Sequence, residues 1–499
     1  MPETSSHDFF AASRAAVADL ELRRKLENAT GRHLQHVAEK RAEFPAFDQE
    51  RDTARKIKED AINRLDELLI ELKDRLEANG CKVFVAADAA EARNYILEVA
   101  KHCGAKRVVK GKSMTTEEIA LNPALAAAGI EPVETDLGEY IVQLRNETPS
   151  HIITPAIHLA REDIGRLFAD KLGIPYTPEP EKLTAAARER LRSIFLEAEM
   201  GVTGVNFAIA ETGTLVLVEN EGNGRFSSTL PETLVAVMGL EKVIPKLEDL
   251  SHFLEILART ATGQKLTCYT NFIHGPRRDG ELDGPREVHV VMLDNGRTRM
   301  LADPILREAL YCLRCGACLN VCPVYRRIGG HAYGVPYSGP IGSIVSPNLF
   351  GSAAAHLPFA STLCGACRDI CPVKIDIPRI LLHLRWNTSG SALRAGASKG
   401  VRAVRPSTLA GSGQGAAESA RRGLNDAPLV KFPRSIQRTR RAVHRFARLA
   451  RHPWQMRLLT RVAAIAARPF SRDGYLRRMP GAFRNWTRTR DFRAPRSRS

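Results

Sequence analysis

The 499-residue chain is poor in aromatics, 6% with 3 Trp, and has no uninterrupted apolar run near the roughly 18 to 20 residues a membrane-spanning helix needs. No spanning helix is expected. The amino terminus, MPETSSHDFF, lacks a basic region followed by an apolar core, so no secretory leader is expected and the chain reads as cytoplasmic. No Ser/His/Asp or Cys/His set is legible, so no hydrolytic catalysis is assigned. No internal repeat of 20 to 50 residues is visible. What is present is ordinary: 44% hydrophobic and 26% charged residues exclude a collagenous, mucin-like or wholly disordered chain. The length gives two to four domains with at least one large core.

The net charge of +17 is unevenly spread. Residues 391–499 hold 26 Lys plus Arg against 4 acids, net +22, so the first 390 residues carry −5. A nucleic-acid reading would rest on the tail alone, and its aromatics are too sparse to favour stacking on bases. Ten cysteines in a chain without a leader do not suggest a disulfide framework. Seven of them fall between 312 and 371, which is metal or redox usage.

Along the chain, 1–55 reads as a helical segment. Ile57, Ala61, Leu65, Leu68, Leu72 and Leu76 then recur at helical spacing over 56–79, with Gly80 placed to stop that helix. Lys82–Ala86 reads as a buried strand, 89–100 as helix and 107–109 as strand, a βαβ order. Further strand-like runs lie at 131–135, 152–153, 206–210, 214–218 and 287–293, so 56–300 is expected to be a layered α/β domain. Residues 301–388 change to short helices carrying cysteines, and 389–499 open on a Ser/Gly/Ala-rich stretch that reads as a flexible basic tail. Within that tail Trp454, Leu458, Val462 and Ile465 recur at helical spacing, with Arg457, Arg461 and Arg468 on another face. This is a short basic amphipathic helix suited to anionic lipid or an acidic partner, which would add membrane association to the cytoplasmic reading.

The strongest pattern is Cys312, Cys315, Cys318 and Cys322 followed by Pro323, spaced C-x2-C-x2-C-x3-C-P. Three thiolates on one loop occupy three corners of an iron–sulfur cube, and the fourth serves the other cluster of a pair. Cys364, Cys367 and Cys371 with Pro372 form a second set, one cysteine short. The exchange rule assigns Cys312, Cys315, Cys318 and Cys371 to cluster one, a 4Fe-4S centre. It leaves Cys322, Cys364 and Cys367 to cluster two, which is then 3Fe-4S or 4Fe-4S with a non-cysteine or exchangeable ligand on its last iron. His331, His356, Asp369 and Cys268 are candidate fourth ligands. Zinc also takes C-x2-C pairs, but a structural zinc has four ligands and seven thiolates do not divide into complete sites. Cys81, Cys103 and Cys268 are read as core residues.

In the α/β part, RVVKGKSMTTEE places Lys110 and Lys112 just past a strand, with Thr115 and Glu118 at capping-box spacing, a candidate anion site. It is not a Walker A loop, because Lys106 stands where Gly is required. Glu211-Thr212-Gly213 reads as the turn of a hairpin whose second strand ends in the Gly-rich loop Asn220–Arg225. Glu211, Asn220 and Arg225 are therefore ligand candidates at strand ends.

KGKSMTTEEIALN (110–122), ETDLGEYIVQL (134–144), PSHIITPAIH (149–158) and GVNFAIAETGTLVLVENEGNGR (204–225) resemble the lactate-utilisation (LUD) domain. With both cysteine sets and YSGPIGSIVSP (337–347), the order is similar to the lactate-utilisation protein B iron–sulfur family over about residues 20–385. The resemblance implies a LUD domain of the NagB/RpiA/CoA-transferase-like class, then an α-helical ferredoxin domain whose cluster ligands map onto the seven cysteines. It also implies oxidation of L-lactate to pyruvate in a complex with two partner subunits, a cysteine-rich protein and a second LUD protein. Electron transfer through two clusters is the expected role. The alternatives are a metabolite or redox sensor, and a hydratase using an open iron of cluster two.

Overall fold

The computed structural model describes residues 7–388, together with the backbone of 471–472, 475–476 and 492–493. The chain divides into two compact units, residues 1–421 and 422–499. In the first, ten strands follow one another: β1 (Lys82–Ala86), β2 (Arg107–Lys110), β3 (Glu131–Glu134), β4 (Met200–Gly204), β5 (Phe207–Ile209), β6 (Thr214–Glu219), β7 (Thr233–Gly239), β8 (Val243–Ile244), β9 (Tyr269–Ile273) and β10 (Glu287–Leu293). Six form a sheet in the order β1-β10-β7-β4-β2-β3, parallel throughout. The rest form a smaller mixed sheet, β8-β5-β6-β9, in which β5 and β6 are the expected hairpin.

Parallel strands covered on both faces must be apolar on both faces. The seven residues of β7, TLVAVMG, are all buried. Leu234, Ala236 and Met238 point into one core, Val235 and Val237 into another. The second core is closed by the helices Ala89–His102 and Leu121–Ala127. The first is closed by Phe47–Asn63, Leu65–Ala78 and Leu250–Ala261, and it continues without a break into the cysteine-bearing segment.

That segment is helical: Leu306–Tyr311, Ala317–Val321, Tyr325–Ile328, Gly339–Phe350, Ala366–Ile370 and Ile377–Thr388 are its principal elements, with no strand among the described residues from 303 to 388. The amphipathic run expected over 56–79 is two helices, because Arg64 leaves the helical region at φ −113, ψ 29. The helix Phe47–Asn63 thus runs across the boundary expected at residue 56, and Gly80, at φ +91, follows the second helix. Residues 152–153 form a bend rather than a strand. In the tail, Ser471–Arg472, Tyr475–Leu476 and Phe492–Arg493 pair as an antiparallel three-stranded sheet. Trp454, Leu458, Val462, Ile465 and the arginines near them lie outside the described residues. No helix among the described residues is long and apolar enough to cross a membrane.

Candidate functional site: two thiol groups beside a cavity

The cysteine segment contains a local duplication at a constant offset of 49 residues, which a search for repeats of 20 to 50 residues passes over because only about ten residues take part. RCGACLNVCP (314–323) answers LCGACRDICP (363–372). The backbones repeat as well. Arg314 and Leu363 both sit in the left-handed region, at φ +61 and +56. Gly316 and Gly365 follow at φ +72 and +88, each starting a five-residue helix that ends at Cys322 or Cys371. Glycine is favoured at such a position because it has no Cβ to clash.

The seven thiols fall into two groups. Cys315 interacts with Cys371 and Cys312, and Cys318 with Cys312 and Cys315 and, across to the second group, with Cys367. Cys367 interacts with Cys322 and Cys364. Burial, together with neighbouring thiols, pushes Cys371 up to about 11 and Cys367 up to about 12. Cys315 and Cys318 are raised for the same reasons. Left to themselves such thiols stay protonated; a coordinating metal ionises them. Soft sulfur donors in two groups fit iron–sulfur chemistry, and seven buried or clustered thiols with no disulfide leave them all available.

Cations collect around the first group. Arg51 donates from Nε and Nη2 to the Cys371 carbonyl, at 3.0 and 2.7 Å, and from Nη2 to that of Asp369 at 2.8 Å. Arg41 Nη2 donates to the Ile370 carbonyl at 2.6 Å. Lys58, Lys242 and Arg314 lie near Cys312. Lys58 donates to the carbonyls of Glu241 and Val243, and burial pushes its ammonium down to about 7. Lys242 is buried and lines the cavity described below. Arg314 lies 4.4 Å over the Tyr337 ring, with its Nη1 buried and unpartnered. None of these cations had been singled out, since only the tertiary fold brings them to the thiols.

A buried ionic network ties this loop to the large sheet. Arg297 grips Glu118 with Nη1 and Nη2, both at 2.9 Å, and Glu241 with Nε at 2.5 Å; Tyr337 Oη donates to Glu118 at 2.8 Å. Burial opposes ionisation of Glu241, but Arg297, Arg314 and Lys242 more than offset it and hold the carboxyl at about 2.

Beside the first thiol group opens a cavity of about 240 Å³. Lys112, Thr203, Asn206 and the loop Glu219–Glu221 line one part of it, and Lys242, Arg314 and Cys315 another. It sits where β2 and β4 end, the side of a parallel sheet on which ligands bind. Of the candidates in the α/β part, Lys112 and Asn220 reach this cavity. Lys112 bonds Asp136 at 3.3 Å and the Ile153 carbonyl at 2.6 Å; Asn220 bonds Gln264 and the Cys268 amide. Lys110 is no anion site: it lies within β2, wholly buried, 2.5 Å from Glu134 and 3.6 Å from Glu117. Glu211 is exposed at the hairpin turn, accepting the Leu247 amide, and Arg225 is exposed; neither lines the cavity. The helix cap is Ser113, which accepts the Thr116 amide, and not Thr115.

Cys81 is buried and Cys103 half-buried, but Cys268 is exposed, so its reading as a core residue is corrected. Among the candidate fourth ligands, His331 turns to the Thr148 carbonyl and the His158 ring, and His356 packs on Phe9. Asp369 is exposed, and Cys268 contacts Asn220.

Residues 69–293 match the LUD domain family and 308–375 the 4Fe-4S dicluster domain family. The fold and the thiol segment therefore define a LUD-domain protein with a 4Fe-4S domain fused behind it. "Lactate utilization protein B" of Oceanobacillus iheyensis is 40% identical over 96% of this chain and 92% of its own. The protein of the same name from Bacillus subtilis strain 168 is 40% identical over 91% and 86%. The "uncharacterized electron transport protein YkgF" of Escherichia coli K12 is 44% identical over 77% and 81%. The chain belongs to the lactate utilization protein B family.

Proposed function

We propose that this chain is the electron-carrying subunit of an assembly that oxidises L-lactate to pyruvate. Cluster one would be held by Cys312, Cys315, Cys318 and Cys371, and cluster two by Cys322, Cys364 and Cys367. The observation that carries the reading is the division of the thiols into two adjoining groups, with Cys315 of the first in the wall of the LUD cavity. The names of the relatives support the lactate and electron-transport parts.

The second group is the more exposed, with Cys364 at the surface, and the first is enclosed by cations. Positive charge stabilises a reduced, more negative cluster, so these cations raise the potential of cluster one. A cysteine-rich subunit and a second LUD protein complete the assembly, and the tail offers a contact to anionic lipid or an acidic partner.

Iron and sulfide quantitation with EPR on anaerobically prepared protein tests this reading. Two reducible clusters are expected, and Cys315→Ala, which leaves no donor atom at that position, removes the signal of cluster one and stops lactate-dependent electron flow in the assembled complex. Unchanged flow, or zinc in place of iron, overturns it.

A further inference from the structure

The offset of 49 residues pairs Cys315 with Cys364, Cys318 with Cys367 and Cys322 with Cys371. It pairs Cys312, the first ligand position of the first loop, with Ser361. The equivalence extends to hydrogen bonding. Cys312 Sγ accepts the amide of Arg314 at 3.4 Å, and Ser361 Oγ accepts the amide of Leu363 at 3.1 Å. In both loops the donor is the residue with positive φ two places on, immediately before the next cysteine.

We propose that Ser361 is the fourth protein ligand of cluster two, its Oγ bound to the iron that no cysteine reaches. This rests on the reading that the seven thiols hold two clusters. The two loops are related by pseudo-symmetry, so each cluster draws three ligands from its own loop and one from the end of the other. For cluster one these are Cys312, Cys315, Cys318 and Cys371. Applying the offset to the same four places gives Ser361, Cys364, Cys367 and, from the other loop, Cys322. Cys322, Cys364 and Cys367 are the thiols found together. Ser361 is half-buried, and its carbonyl is held by Arg385 Nη2 at 2.8 Å, which anchors the start of the loop.

On coordination an iron–oxygen bond forms and the hydroxyl proton leaves to solvent; no electron is transferred. Oxygen is a harder donor than sulfur and favours the ferric state, so this ligand lowers the potential of cluster two. The cations around cluster one act in the opposite sense on the other centre. Both effects favour transfer from cluster two to cluster one.

The test uses the full chain, prepared anaerobically, with iron and sulfide quantitation and EPR of the oxidised and reduced forms. The wild type is expected to hold about eight irons and to show no 3Fe-4S signal when oxidised. Ser361→Ala loses about one iron and gains that signal. Ser361→Cys keeps the full complement and raises the midpoint potential of cluster two. Thr362→Ala, at the exposed neighbouring position, changes neither quantity. A wild type already carrying a 3Fe-4S centre overturns the proposal, as does a Ser361→Ala variant with unchanged iron content and spectrum. Absence of both clusters from the wild type fails the two-cluster reading itself, whereas two clusters indifferent to Ser361 fail this inference alone.

Discussion

Glu221 shows how one carboxyl couples the cavity to pH. Burial, and then the charge of Asp136, push it up to about 7, against the Leu137 amide and Lys112, which favour the ionised form. Its value in the unfolded chain is about 4.3. The folded state therefore holds the proton more tightly, so this contribution to stability is complete below about pH 4 and is lost as pH rises through about 7. Urea midpoints measured between about pH 5 and about pH 8 should fall with rising pH, and Glu221→Gln should flatten that limb. An unchanged slope in the variant would place the titration elsewhere. Lys110 and Lys112 show the limit of residue-level reading. Two places apart after the same strand, they look alike in sequence, yet β2 carries Lys110 inward to Glu134 and leaves Lys112 on the cavity wall.

At the scale of elements, Arg51 joins the helix Phe47–Asn63 to the end of the helix Ala366–Ile370. The last carbonyls of a helix lack partners within it, and here Arg51 and, from the preceding helix Leu20–Ala42, Arg41 supply the donors. Arg51→Ala removes a buried charged donor from the carbonyls of Asp369 and Cys371, and should destabilise the protein by about 2 to 3 kcal/mol in urea titration. It also removes a positive charge near Cys371, so the midpoint potential of cluster one should fall. A potential that stays in place would make Arg51 a packing residue alone.

None of this is legible in residues 1–55, whose periodicity gives a helix but not its partner. The cysteine loops were legible because their ligand spacing is local. The same holds for the β5–β6 hairpin, whose Glu211–Gly213 turn shows in the sequence. β7 was not recognised, since it is apolar at every position from Leu234 to Met238 and short apolar runs lack a period to separate strand from helix. Arg64 broke the long helix without any proline or glycine to announce it. The cavity itself joins side chains from β4 and β6 to the loop at Leu313–Cys315, more than ninety residues further along the chain, and no spacing rule connects them.

For the molecule as a whole, the core that fills one face of the large sheet also surrounds Cys315, Cys318, Cys322, Cys367 and Cys371. The sheet and the cysteine segment are therefore expected to unfold together rather than as beads on a string. The network of Glu118, Arg297, Glu241 and Tyr337 lies across that junction, each residue almost fully buried. Its residues come from the TTEE motif, the turn after β7, the helix after β10 and the YSGPIGS motif, so stretches distant in sequence meet at one guanidinium. Removing that guanidinium leaves Glu118 buried without its counter-charge and Glu241 with only Arg314 and Lys242 beside it, which costs about 3 to 5 kcal/mol. Arg297→Ala should lower the unfolding free energy by that amount, while Tyr337→Phe, which deletes a single hydrogen bond and leaves Arg297 on Glu118, should cost only about 1 kcal/mol. The variants also separate two accounts of the junction. If the shared core alone unites the two parts, Arg297→Ala melts in one transition at lower temperature. If the network is what couples them, loss of cluster absorbance and loss of far-ultraviolet circular dichroism will part into two transitions in that variant and remain coincident in the wild type and in Tyr337→Phe. With apolar contacts running unbroken from Leu72 and Met238 to Leu319 and Tyr325, the expectation is the single transition.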